Sequence, residues 1–165
     1  MARPYPTFPA LVAAMVAARA GGKPFPAPEV PTTLPAAIVA RFLAAAALVA
    51  LAPAIYQSAA GETAELPYVA FGIDRAPTTR LTSTSAWHDA SARFDAFAET
   101  AEEAEAIAAA VLAAFKGATL EWSGGYAIPL VVADRPQAAE ARRARKNERA
   151  FRCTVRFSAR CREER

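Results

Sequence analysis

The sequence predicts an α+β domain, in which a single mostly antiparallel sheet carries helices packed on one face. The stretch FRCTVRFSARCRE, residues 151–163, alternates apolar and polar side chains, which is typical of a strand with one buried face. The stretch ASARFDAFAET, residues 90–100, reads as another strand and leads into a helix whose apolar residues recur with helical spacing. The predicted order of elements is helix, strand, strand, helix, strand, strand, strand.

Composition indicates a globular protein and divides the chain in two. With 165 residues, the chain is most simply one domain that can bury a core. Much of its apolar content is alanine, which adds little buried area per residue. We expect a proline-rich N-terminal arm at 1–32, with a possible short helix near 9–20, and the α+β domain at 33–165. Such an arm either lies on a neighbouring molecule or is disordered.

The first helix of the domain is expected to run from Thr33 to about Leu51. Thr33 is a good N-cap residue, Pro35 suits the first turn of a helix, and Pro53 supplies the stop.

Two apolar runs, at 8–22 and 35–55, approach the length of a signal peptide and a membrane span. Arg19 near the end of the first run argues against a signal peptide. Arg41 inside the second favours a buried alanine-rich helix, because a charge in the bilayer is costly.

The middle of the chain contains its clearest helix. A short strand is expected within ELPYVAFGI, residues 65–73, followed by a long loop from Asp74 to Ser85 that is rich in threonine and serine. After the second strand, Thr100 and Glu103 match a capping box, and Gly117 matches a C-terminal cap. We therefore predict that this helix packs on the sheet.

The last third of the chain is expected to add three strands. Segments 118–122 and 126–134 form two of them, joined by a hairpin turn at 123–125 that contains two glycines. The run RPQAAEARRARKNER, residues 135–149, is either a basic loop or a short frayed helix. The alternating stretch at 151–163 then closes the domain.

No motif in the sequence indicates catalysis, and we expect neither a cofactor nor a metal. Nucleophile motifs, glycine-rich phosphate loops and metal-ligand spacings are missing. His88, the only histidine, adjoins Asp89, but neighbours on a strand point to opposite faces, so a catalytic pair is disfavoured against a histidine at a loop edge. Cys153 and Cys161 share one strand face too far apart to bond, and both are interpreted as reduced core cysteines.

Charge is unevenly distributed along the chain, although the net charge is only +3. Basic residues crowd the chain from Arg142 onward, and acidic residues crowd the segment 99–105. Separation of this kind suits contact with nucleic acid or head-to-tail contact between copies, and solvated arginines on an exposed face are an equally good reading. Because aromatic residues do not alternate with the arginines, passive contact with passing DNA fits better than dedicated single-strand binding.

In order and spacing, these elements resemble the tail completion proteins of long-tailed bacteriophages, also called tail terminator or tail-to-head joining proteins. The resemblance is carried by RFLAAAALVALAPAIYQSAAGETAELPYVAFG at 41–72, by RFDAFAETAEEAEAIAAAVLAAFKG at 93–117, and by the closing arginine-alternating strand. It covers about 33–163. The resemblance implies an α+β subunit of a virion, assembled in the host cytoplasm as a hexameric ring that caps the tail tube and docks the head connector or stopper.

The implied role assigns candidate contacts. Acidic residues at the helix start would face basic residues of a neighbouring copy: Glu99, Glu102, Glu103 and Glu105 against Arg142, Arg143, Arg145 and Arg149. Outward arginines would line the lumen and face passing double-stranded DNA: Arg152, Arg156 and Arg160. The long loop would contact the tube or connector through Arg75, Thr78, Thr79 and Arg80. Alternatives are another neck component, such as a head completion or stopper protein, and a small basic nucleic-acid-binding domain.

Overall fold

The computed structural model describes residues 30–58, 60, 64–75, 80–81, 84–127, 131–132, 138–142 and 149–164. All of these except Val30 belong to one unit, which begins at Pro31. The expected arm at 1–32 therefore lies outside the described residues, apart from its last three positions, and its boundary stays a prediction. No helix in the described ranges has both the length and the apolar character needed to cross a membrane.

Three helices are described, and their ends follow local sequence signals. Helix α1 spans Leu34–Ala44, α2 spans Ala46–Leu51 and α3 spans Ala101–Phe115. The Thr33 hydroxyl accepts a hydrogen bond from Ala36 N at 3.3 Å, and the Thr100 hydroxyl accepts one from Glu103 N at 3.2 Å. Both N-caps are thus as the sequence predicts, because each satisfies a backbone donor that has no partner inside its helix.

The sheet contains nine strands in the described residues. They are β1 Ala54–Gln57, β2 Tyr68–Arg75, β3 Arg80–Leu81, β4 Ser85–Ala98, β5 Leu120–Trp122, β6 Gly125–Ala127, β7 Val131–Val132, β8 Ala138–Arg142 and β9 Arg149–Glu164. The main path is β1-β2-β4-β9-β6-β5, with β3 beside β4 and with β7 and β8 beside β9. Only β1 and β2 pair in parallel, so the mostly antiparallel sheet of the predicted α+β class is confirmed.

Strands β4 and β9 form the central ladder of the sheet. Fourteen residue pairs join them, from Ser85 opposite Glu164 to Ala98 opposite Phe151. The other edge of β9 is covered in three steps by the short strands β6, β7 and β8, which pair with successive parts of it. One long strand therefore organises most of the C-terminal half of the domain.

The core lies between this ladder and the helices. Phe94 of β4 sits at its centre, with ring centroids 4.7 Å from Phe115, 5.6 Å from Phe157 and 6.0 Å from Phe71. Helix α3 contributes Ala104, Ile107, Ala108 and Val111 to the same core, all at the helical spacing read from the sequence. We call this helix-covered side of the sheet the inner face.

Two predicted element boundaries in the N-terminal half are wrong. The helix expected from Thr33 to Leu51 is interrupted at Ala45, whose backbone leaves the helical region (φ −87°, ψ 83°) before α2 begins. The loop expected from 74 to 85 is partly strand, because β4 begins at Ser85 and offers its edge to β3 and to the end of β2. Strand β1 was not predicted; it lies just after the helix-ending Pro53.

The basic run at 135–149 also differs from its prediction. Residues 138–142 are neither loop nor helix but strand β8, which pairs with the first residues of β9. The backbone of β9 has β4 on one side there and requires a partner on the other, and that need outweighs the helix propensity of the alanines. The predicted hairpin turn is confirmed: Trp122 pairs with Gly125 across Ser123 and Gly124.

Candidate functional site

The side of the ladder away from the helices, which we call the outer face, presents the alternating arginines. Outward residues of β9 are Arg152, Thr154, Arg156, Ser158, Arg160 and Arg162, opposite Phe97, Asp95, Arg93, Ser91, Asp89 and Trp87 of β4. Cys153, Val155, Phe157 and Cys161 of β9 point inward and are buried. The alternation predicted from the sequence is therefore confirmed, and both described cysteines are free and buried.

Asp95 lies at the middle of the outer face and is only 7% exposed. Its Oδ2 is 3.0 Å from Arg93 Nε, and its Oδ1 accepts a 2.6 Å hydrogen bond from the Thr154 hydroxyl. A carboxylate so little exposed to water requires such partners, because burying an unpaired charge is costly. The ion pair in turn holds the Arg93 guanidinium beside Asp95.

A second ion pair lies further along the same face. Arg160 Nε donates to Asp89 Oδ1 at 3.0 Å, and both side chains are at least half exposed. A pair of this kind is screened by salt and contributes little to stability. It nevertheless offsets the local positive charge of Arg160.

Arg152 and Arg156 differ from these two arginines. Both are exposed, and neither is paired with a carboxylate among the described side chains. They are four residues apart on one strand, a separation of roughly 13 Å at about 3.3 Å per residue. Of the three residues assigned to the lumen, these two carry charge that the described part of the chain leaves unmatched.

The far end of the outer face holds an aromatic cluster. The Arg162 guanidinium carbon lies 5.9 Å from the ring centroids of both Trp87 and Tyr126, and the two rings are 6.4 Å apart. Arg162 Nε is buried without a hydrogen-bond partner in the described structure. The sequence of β9 alone does not predict this cluster, because the aromatic residues of the cluster come from β4 and β6.

The acidic start of α3 lies at the same end of the sheet as the β8–β9 hairpin. Ala98, three residues before α3, pairs with Phe151 of β9. Two residues before Phe151, Arg149 pairs with Arg142 of β8. Glu99, Glu102 and Glu103 are exposed there. They remain candidates for contact with another copy.

Glu105 faces its own subunit instead. Its Oε1 accepts a long hydrogen bond of 3.4 Å from Ala138 N at the start of β8. Burial raises the pKa of the Cys153 thiol, and the nearby Glu105 carboxylate raises that pKa further. The thiol is therefore held in its unreactive protonated form.

The remaining predicted contact residues are only partly described. Arg75 ends β2 and Arg80 begins β3, so both belong to strands instead of a loop. Thr78 and Thr79 between them, and Arg143 and Arg145 in the β8–β9 connection, lie outside the described residues. Their roles stay predictions.

His88 is a buried strand residue, not a loop-edge residue. It is 5% exposed on the inner face, where its Nε2 lies 3.9 Å from Glu163 Oε1. Asp89 points to the outer face, as the strand geometry predicts, so the two do not form a catalytic pair. Within the described residues, no three His, Cys, Asp or Glu side chains are grouped as metal ligands.

Comparison with known families shows to which family the protein belongs. Residues 36–162 match the model of the family described as Tail completion protein gp17. The chain belongs to the tail completion protein family. The match runs from within α1 to Arg162 of β9 and so includes all but the last two residue pairs of the central ladder.

A solved structure supports the same family assignment. A chain in a structure described as the virion of a native gene transfer agent (GTA) particle is 31% identical to this one, with a TM-score of 0.59. The alignment covers 80% of this chain and 95% of that chain. No curated protein matches significantly. Together the family and the virion neighbour identify a structural protein of phage-type tails, and the predicted resemblance is confirmed.

Proposed function

We propose that the protein is the subunit of a ring, most simply a hexamer, that caps the tail tube at the head-tail junction of a virion. The ring stops tube polymerisation, offers a docking face to the head connector or stopper, and is assembled in the bacterial cytoplasm. The observation that carries the proposal is the family match over residues 36–162, which spans the described fold from its first helix to its last strand. The role is geometric, so we propose no enzymatic activity and no cofactor.

Contacts between copies are proposed at the end of the subunit where opposite charges lie. The exposed carboxylates of Glu99, Glu102 and Glu103 would meet Arg142, Arg143, Arg145 and Arg149 of the next copy. Because both groups of residues lie at one end of the sheet, such a head-to-tail contact must use two different sides of that end. It closes into a ring when the rotation per copy divides a full turn. Glu105 contributes less, because it already bonds to its own β8.

Contacts with other components are proposed on two further regions. The segment from Arg75 to Arg80 would meet the tail tube or the connector. The outer face, with Arg152, Arg156 and Arg160, would line the lumen through which double-stranded DNA passes without sequence specificity.

The oligomeric state of the purified protein tests the proposal directly. Size-exclusion chromatography with light scattering, together with negative-stain images, should give a closed ring in the absence of nucleic acid. Added to polymerising tail tube protein, the ring should halt elongation. A monomer at every concentration, or tubes that lengthen past the bound protein, would contradict the proposal.

A charge-swap experiment tests the contact itself. Glu102→Arg should weaken the ring, and so should Arg149→Glu in a separate variant, because each places like charges at the contact. The double variant should recover ring formation in part. If both single variants form normal rings, copies meet through another surface.

A small basic nucleic-acid-binding domain is the second candidate. It is favoured by the exposed and unmatched Arg152 and Arg156. That function would give a monomer with strongly salt-dependent DNA affinity and no effect on tube length. Another neck component, such as a stopper, would form a ring that binds the connector but leaves tube length unchanged.

A further inference from the structure

The outer face carries fewer unmatched positive charges than its sequence suggests. Arg93 and Arg160 each have an aspartate oxygen 3.0 Å from Nε. Asp74 adds another exposed carboxylate to the same face from β2. The exposed arginines of the ladder therefore fall into two classes, those held by aspartates and those without an ion pair among the described side chains, Arg152 and Arg156. Arg162 is set apart, because its Nε is buried and its guanidinium lies against Trp87 and Tyr126.

The chemistry of this face fits the phosphate backbone of a DNA duplex. Exposed guanidinium groups bind phosphate oxygens at any sequence. Between Phe97 and Trp87 the outward residues of β4 and β9 include no aromatic ring on which an unpaired base would stack. The middle of the face therefore suits double-stranded DNA better than a single strand.

We propose that the outer face lies against passing double-stranded DNA and that Arg152 and Arg156 contact its phosphates. Asp89 and Asp95 act as attenuators: each holds one further arginine, so that the contact stays weak enough for the duplex to slide. This inference rests on the proposed function, because DNA passes along this face only if the protein stands at the end of a tail.

Attenuation follows from how phosphate contacts set affinity. Each phosphate that a protein neutralises releases counterions and steepens the dependence of log affinity on log salt by about 0.9. Freeing Arg160 and Arg93 would double the number of exposed, unmatched arginines on the ladder from two to four. Such a face would hold the duplex in place, which suits a DNA-binding domain but not a passage.

The test is a salt titration of binding to a short labelled duplex, measured by fluorescence anisotropy on the full-length protein. Asp89→Asn leaves the fold intact, because its pair is exposed, and frees Arg160. Its affinity should fall about 3.5-fold more than that of the wild type between about 50 and 200 mM salt, as one added phosphate contact requires. Arg156→Gln should lower the salt slope by about one.

A matched charge control separates this face from net charge. Ala109→Lys adds the same single positive charge on the exposed side of α3, away from the sheet. It should leave the salt slope close to that of the wild type. If it steepens the slope as much as Asp89→Asn, the effect belongs to total charge and the inference is wrong.

Light scattering on the same samples keeps the two proposals apart. Rings whose DNA affinity is insensitive to Asp89→Asn would overturn the inference and leave the proposed function standing. A monomer with the predicted response to Asp89→Asn would support the contact with DNA and overturn the ring. If Arg156→Gln disrupts the ring without changing DNA affinity, the face meets an acidic protein surface and the inference is wrong.

Discussion

The two faces of the β4–β9 ladder are built from the same two strands, yet they are held together by different physics. On the inner face, Phe94 and Phe157 pack with Phe115 of α3 and exclude water. On the outer face, Asp95 and Asp89 each hold an arginine beside solvent. The inner face therefore supplies most of the stability. The outer face is available for contacts outside the subunit, except where Tyr68, Ala70 and Phe97 form a small apolar cluster.

Removing a ring from each face should show the largest difference. Phe94→Ala should destabilise the domain by about 3–5 kcal/mol, because Phe94 is 1% exposed at the centre of the core. Phe97→Ala, three residues away on the outer face, should cost about 1–2 kcal/mol, because a partly buried ring loses only part of the roughly 1.5–3 kcal/mol of full burial. Urea unfolding measures both, and equal costs would contradict the division into two faces.

A smaller effect is expected where the β5–β6 hairpin meets β9. A Cβ at Gly125 would collide with the Arg162 carbonyl oxygen and approach Trp122 Cζ2 to 3.0 Å. Gly125→Ala should therefore cost about 1–3 kcal/mol and disturb the aromatic cluster around Arg162. At the neighbouring Gly124 a Cβ meets only Trp122 Cδ1 at 4.0 Å, so Gly124→Ala is the control and should be close to neutral.

Removing the N-cap of α3 should cause the next largest loss of stability. Thr100→Ala removes the acceptor of the Glu103 N–H and should cost about 1 kcal/mol, measured by thermal unfolding. Thr100→Ser retains the hydroxyl and should recover most of the loss. A larger loss in the serine variant would show that the methyl group, not the hydroxyl, is what matters.

Alkaline pH should weaken the inner face through Cys153. Its pKa is raised in the folded state by burial and by Glu105, so the unfolded chain releases the thiol proton more readily. This contribution is complete below the ordinary thiol pKa of 9.0 and is lost as pH rises through the higher folded value. Urea midpoints should fall more steeply above pH 9 in the wild type than in Cys153→Ala. Parallel pH profiles would contradict this.

The smallest effect on stability is expected from the outer-face pair. Asp89→Asn should change the free energy of unfolding by no more than about 1 kcal/mol, because exposed ion pairs contribute little. Chemical denaturation at low and high salt checks this. A loss comparable with that of Phe94→Ala would show that the outer face is structural.

Local signals in the sequence were enough to predict the N-caps of two helices and the buried and exposed faces of β9. Thr33, Thr100 and the alternation of 151–163 each depend on residues within one turn or one strand. Strands β1 and β8 could not be found this way, because they have no alternation of their own and each is defined by its pairing with the strand that follows it. Tertiary pairing, not local propensity, decides their structure.

For the candidate site, the sequence located the arginine row but not its neutralisation. The partners of Arg160 and Thr154 lie on β4, more than fifty positions earlier, and their identity depends on the register of the ladder. A shift of one residue would turn Asp89 and Asp95 to the inner face. Only the fold shows which arginines are matched.

The separation of β4 and β9 along the chain has a kinetic consequence. Strand β4 can pair with β9 only after the chain between them has brought the two strands together. The central ladder therefore closes through long-range contacts, which form slowly. Until then β9 is an apolar strand with two open edges, a form prone to aggregate with other chains. Arginine at positions 152, 156, 160 and 162 interrupts that surface and should protect the nascent strand from aggregation.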